Sequence, residues 1–265
     1  MKKLAKYLEV ARVALRSQVT YLWDLLLSTL FLVVIMFVFV QLWKVTYAAT
    51  PSSAFAGYGL PQIIWYLVAT ESIVTSLPRI HSTIDGEVKN GDLALRLNKP
   101  YSYLLFHYST FLSQGLLQLG LKLAVGGLTA YLLVGGFRFY WPGIPALLLI
   151  YLTTQAINFC YSAAVGLAAF WLEDITGLYF VVDRLKWILG GMLLPLELYP
   201  DSIRTVVERL PFRYMIAGPA HLFVYFNWAE AGRLLAAQGF WTVLFSLLCW
   251  LLYRMGVRRV DVNGG

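Results

Sequence analysis

The feature that most constrains this chain is a succession of apolar runs about as long as a helix needs to cross a bilayer, roughly 20 residues. Six are present: Leu22 to Trp43, Tyr58 to Leu77, Leu104 to Val134, Ile144 to Trp171, Ile175 to Leu196 and Leu234 to Tyr253. Hydrophobic residues make up 59% of the 265 positions and charged ones only 13%, a balance outside that of soluble domains. The runs therefore predict an all-α integral membrane protein with six transmembrane helices in one domain, 1–265. The third run holds 31 residues, too many for an untilted crossing, and Gly115, Gly120, Gly126 and Gly127 offer places to bend.

The net charge of +7 raises the question of nucleic acid. The basic residues flank apolar runs, however, which is the signature of cytoplasmic loops, and no nucleic acid partner is expected. Six crossings put both termini on one side. With that side inside, twelve Lys and Arg lie inside and six outside, which predicts cytoplasmic termini in a cell (inner or plasma) membrane. Residues 1–20 read as an interfacial helix with Leu4, Tyr7, Leu8, Ala11 and Leu15 on one face and Lys2, Lys3, Lys6, Glu9, Arg12 and Arg16 on the other. Such a helix serves either as an anchor on anionic lipid or as a contact for a partner. This start is unlike a cleaved signal, whose apolar core is short and close to the N-terminus.

Gly86 and Gly91 have the spacing of a phosphate-binding loop, but Asp92 and Leu93 stand where Lys and Ser or Thr belong, so no nucleotide site is expected in this chain. His81, His107 and His221 are far apart, and Cys160 and Cys249 lie in separate apolar runs, which predicts neither a metal site nor a catalytic cluster. That weakens the reading as a polytopic enzyme of lipid or glycan metabolism. Glu71, Lys122, Asp183 and Arg184 lie within apolar runs, where charge is costly and marks buried pairs or a polar lining. Glu71 and Lys122 also leave open an ion-coupled secondary transporter, although no internal repeat is visible. The stretch from Asp183 to Lys186 fits equally a set of side chains reaching to the interface.

Two polar stretches remain. Asp85, Glu87 and Asp92 alternate with Lys89, Arg96 and Lys99, a mixture that suits a solvated loop or a docking surface. Residues 196–233 are rich in Pro and aromatics. Asp201 is placed to cap a short helix with Ile203, Val206, Val207 and Leu210 on one face and an Arg204–Glu208 pair on the other, before Pro211 ends it. The pattern predicts a re-entrant helical hairpin, tolerated at membrane depth only where protein or a water-filled cavity surrounds it.

The stretch IDGEVKNGDLALRLNKP, Ile84 to Pro100, resembles a motif of ABC-2 type permeases, as do Gly190 to Pro195 with Tyr199 and Pro200, and Leu210, Pro211, Phe212 and Pro219. The likeness is greatest to small bacterial six-span exporter permeases. The resemblance implies a transport subunit that is not itself an enzyme, moving a hydrophobic or amphiphilic substrate. It implies an ABC ATPase partner that binds ATP and Mg, and a second permease copy or paralogue. It further implies that 79–100 is a coupling loop acting through Asp85, Glu87, Lys89, Asp92, Arg96 and Lys99. The external hairpin would gate release through Pro195, Tyr199, Pro200, Pro211, Phe212 and Pro219, its aromatics serving as a gate or as an interfacial belt.

Overall fold

The structure is a computed structural model that describes residues 2–20, 22–49 and 55–263. Backbone that enters hydrocarbon must satisfy its own hydrogen bonds, and this chain does so with helices. In order they are α1 Lys2–Thr20, α2 Leu22–Ala48, α3 Leu60–Thr75, α4 Ile80–Lys89, α5 Asp92–Leu97, α6 Tyr103–Val134, α7 Ile144–Leu167, α8 Thr176–Leu189, α9 Asp201–Val207, α10 Pro211–Met215, α11 Ala217–Val224 and α12 Trp228–Asn263. Among the described residues the only β pairing is an isolated bridge between Phe55 and Tyr58. Met1, and the side chains of Lys2, Lys3 and Leu4 that begin the expected amphipathic face, lie outside the described residues.

Four helices among the described residues are long and apolar enough to cross a membrane: Trp23–Ala48, Tyr103–Val134, Trp141–Phe170 and Trp228–Arg259. The second and fifth apolar runs give shorter helices than expected. α3 has 16 residues and α8 has 14, which at about 1.5 Å per residue is roughly 24 and 21 Å against a hydrocarbon core of roughly 30 Å. The cause differs between the two. α3 is buried almost continuously from Ile63 to Val74, as a helix apolar on all sides must be, and its ends meet protein. α8 stops at Gly190, and Gly191 turns the chain at φ +70°, with Leu196 and Ala217 packed where a Cβ would stand.

Contacts between distant segments define two ends of the molecule. At one, Lys6 donates to the Pro100 carbonyl, Tyr103 stacks on Tyr253, Lys89 pairs with Asp174 and Arg259 lies over Trp171. At the other, Tyr225 donates to the Gly57 carbonyl, Trp65 to that of Gly135, and Tyr140 stacks on Phe226. The starts of α1 and α6 and the last turns of α12 thus share one end.

α6 is one unbroken helix of 32 residues. Two of its glycines admit close neighbours: a Cβ at Gly126 would meet Val68 at 3.3 Å, and one at Gly127 would meet Trp65 at 3.1 Å. α1 packs along α6, from Tyr7, whose hydroxyl accepts from the Ser102 N–H, to Gln18, which accepts from Gln118. The covered side centres on Ala14, while Leu8, expected on the apolar face, is exposed.

Candidate functional site

The charged stretch 79–100 folds as the pair α4–α5, with Gly91 in the left-handed region at φ +77° between them. Asp85 and Lys89 sit one turn apart on α4 and pair at 2.8 Å; Lys89 also reaches Asp174 at 3.4 Å, tying the loop to the start of α8. The Thr176 hydroxyl and N–H, with Lys89, hold the Asp174 carboxyl below its usual range. Glu87 behaves differently from a solvated loop residue, being buried at the base of the pair. Tyr103 and His107 of α6 donate to its Oε2 at 2.7 and 3.1 Å, and Arg96 of α5 makes an ion pair with Oε1 at 2.8 Å. Burial opposes ionisation there, but the hydrogen bonds from His107 and Tyr103 outweigh it and keep the carboxyl below its usual range. Asp92 and Lys99 are exposed, as is Leu95.

α4 is pressed onto α7. A Cβ at Gly166 would stand 2.9 Å from the His81 backbone, so the contact needs glycine. The His81 ring lies flat on Tyr179 with centroids 3.3 Å apart, and burial pushes its imidazole down to about 4.

Above α4 lies a cavity of about 1220 Å³. Phe31, Val34, Val38 and Phe180, exposed residues of α2 and α8, form its lips, and α3, α6 and α7 form its floor. The four charged residues singled out within the apolar runs, Glu71, Lys122, Asp183 and Arg184, all line it. Asp183 and Lys186 are buried and paired at 2.7 Å, an ion pair instead of side chains reaching for an interface. Arg184 is exposed, its guanidinium 4.0 Å from the Trp187 ring. Lys122 donates to the Thr75 carbonyl. His81, Ser82 and Asp85 of α4 also line the cavity, so one short helix joins it to the charged end of the molecule.

At the opposite end, residues 196–226 wedge into the bundle. Met215, Ile216, Ala217, Ala220 and Leu222 are buried, and the chain is fixed by Ala217 N–H to Gly190 O (3.0 Å), Gln238 to Tyr214 O (2.9 Å) and Thr70 to Met192 O (2.8 Å). Pro195, Pro211 and Pro219 are buried and Pro200 is exposed. Pro211 opens α10 and Pro219 lies in the first turn of α11, where no helical hydrogen bond is lost. Tyr199 donates to Ile188 O, and the Phe212 ring meets that of Tyr161. Asp201 is the first helical residue of α9 and makes no side-chain cap bond, so it acts on the helix dipole instead of capping as expected. The Arg204–Glu208 pair forms at 2.8 Å, while of the expected apolar face Val207 is buried and Ile203 and Val206 are exposed.

Among the described residues no group of His, Cys, Asp or Glu could hold a metal ion. The model of a family described as ABC-2 family transporter protein matches residues 19–264. The chain belongs to the ABC-2 transporter family. No curated protein matches it. An ABC-2 protein of this kind is a multi-pass membrane permease of the exporter type, and its helices fit that description. Sequence reasoning missed Asn158, Ser162 and Tyr179 in this ABC-2 cavity. A polar residue inside an apolar run was the available signal for Asn158; the other two are ordinary residues whose place is set by packing.

Proposed function

We propose that this chain is the membrane-spanning permease subunit of an ABC-2 exporter, moving a hydrophobic or amphiphilic substrate with energy from ATP hydrolysed, with Mg, on a separate nucleotide-binding subunit. The observation that carries this reading is the double role of α4, which lines the cavity with His81, Ser82 and Asp85 and belongs to the charged pair α4–α5 at one end. An ATPase docking on Asp92, Lys99 and the exposed part of that pair would move α4 over Gly166 and so reshape the cavity. The start of α1, bonded to Pro100 and Ser102, flanks the same surface.

In this reading all six apolar runs cross the membrane, α3 and α8 being sheltered by protein where they fall short. Both termini face the cytoplasm. The hairpin α9–α11 closes the outward end, and its proline and aromatic residues govern release. A second copy or paralogue faces the lips formed by α2 and α8, whose exposed apolar side chains suit either a partner or lipid.

The test is purification of the full chain from its own membrane in mild detergent. An ABC ATPase should be recovered with it, and its hydrolysis should fall when Asp92→Lys replaces the wild type. A chain that purifies alone and whose transport follows a proton or sodium gradient would replace this reading with that of a secondary transporter, the role for which Glu71 and Lys122 would then be needed.

A further inference from the structure

The polar atoms inside the cavity are not balanced. Glu71 is 1% exposed, and its Oε2 has no hydrogen-bond partner. Lys122, across the cavity floor, directs its ammonium at the Thr75 carbonyl and acts on Glu71 through its charge, without a hydrogen bond between the two among the described contacts. Asn158 is also 1% exposed, and its orientation is set by Nδ2, which donates to Thr154 O at 2.9 Å and Met215 O at 3.5 Å. That leaves Asn158 Oδ1 as an acceptor without a donor, and Asp85 Oδ1 nearer α4 is a third. Against these three acceptors stand Trp187 Nε1, which has no acceptor, and the Lys122 ammonium, whose one recorded acceptor is Thr75 O. Asp183 and Lys186 cancel each other in their own pair.

Buried acceptors without donors cost free energy until a ligand supplies the missing hydrogens. An ammonium carries three donors and a positive charge; a sulfate or carboxylate head would add further acceptors and a negative charge beside Glu71. We infer that the cavity recognises an amphiphilic amine, whose ammonium head is held by Glu71 and Asn158 while its hydrocarbon lies between α2 and α8. The rings of Phe111 and Tyr179 line the same space and favour a cation over an anion. Arg79 and Arg184 also carry charge toward the cavity, but both are exposed at the rim, where water and salt screen them. This inference names the substrate class for the permease reading and rests on it.

The test is equilibrium binding of labelled dodecylamine to the full chain in lipid nanodiscs, with empty nanodiscs subtracted and with dodecyl sulfate and dodecanol as competitors. Dodecylamine should bind saturably, and dodecyl sulfate should fail to compete. Glu71→Gln should weaken binding by about tenfold or more, the loss expected for one charge-assisted hydrogen bond. Lys122→Met, which leaves Glu71 without a neighbouring cation, should tighten it. Absent saturable binding, equal competition by dodecyl sulfate, or equal weakening in both variants would overturn the assignment. The assay needs no ATPase: amine binding by a chain that recruits no ATPase sinks the permease reading, and ATPase recovery without amine binding sinks this inference.

Discussion

Glu87 and Glu71 are both carboxylates with almost no access to water, at 6% and 1% exposure, yet their surroundings are opposite. Glu87 is surrounded by Tyr103, His107 and Arg96, drawn from two helices that it fastens together. Glu71 belongs to the cavity lining, and its Oε2 is buried without a hydrogen-bond donor. A buried acid held by two hydrogen bonds and an ion pair is part of the framework, whereas one left short of donors is poised for something that arrives. The charged end thus holds an acid tied to two neighbouring helices, and the apolar interior holds one with an oxygen that meets no donor.

The sharpest way to break this contrast is to remove each acid in turn. Glu87→Leu leaves Arg96 and His107 without their acid and should destabilise the fold by about 3–5 kcal/mol, the usual cost of breaking a buried pair. Glu71→Leu should cost less, since it removes a desolvation penalty together with the attraction to Lys122, which makes no hydrogen bond to Glu71 among the described contacts. Thermal unfolding of the purified protein in detergent compares them directly. Equal losses would mean that Glu71 is also framework.

A smaller effect is expected at the hinge between the two regions. Gly166→Leu places a side chain against the backbone of His81 and should cost about 1–3 kcal/mol as overpacking. Its larger consequence would be functional: α4 lifted from α7 should lose ATPase stimulation at a temperature where the variant is still folded. Retained stimulation would show that the contact is not on the path between α4 and the cavity.

Acidification should cost stability at both His81 and Glu87, over different pH windows. His81 has its imidazole pushed down to about 4, first by burial, with Asp183 raising and Lys186 lowering it. The unfolded chain takes up its proton near the ordinary value of about 6.5, so stability should decline as pH falls below that and level off near the folded value. Glu87 is held below its usual range, so its contribution is present above the unfolded value of about 4.5 and is lost as pH falls further, through the folded value. His81→Phe, which keeps a ring on Tyr179, should flatten the upper window and leave the lower one. A midpoint that still drops between the two values in that variant would assign the upper window to another group.

How much of this could be read beforehand follows from the range of each signal. α2, α6, α7 and α12 announce themselves because hydropathy is local, and the Arg204–Glu208 pair follows from helical spacing. The interior place of Lys122 is legible because a charge so deep in an apolar run has few alternatives. The burial of Glu87 was not, since Tyr103 and His107 lie 16 and 20 positions away on another helix, and no local period encodes that meeting. The ends of α3 and α8 were missed because hydropathy continues past Thr75 and Leu189 while the backbone turns. Ile203 and Val206 point outward because an apolar face specifies an apolar neighbour without saying whether it is core, lipid or another chain.

The smallest expected change in stability belongs to the residue best placed for docking. Asp92 is exposed at the start of α5, close to the glycine that separates it from α4, and its substitution by Lys should alter unfolding by no more than about 0.5 kcal/mol. An exposed charge contributes to partner choice and encounter more than to folding, so the same variant should weaken ATPase binding, and more so at low salt. Reversing Lys99 to Glu in parallel tests whether the partner reads the sign of each charge. Opposite salt dependences for the two variants would mark a docking surface of mixed charge on α4–α5, and no change in either would move the ATPase contact elsewhere, with the start of α1 as the next surface at the same end.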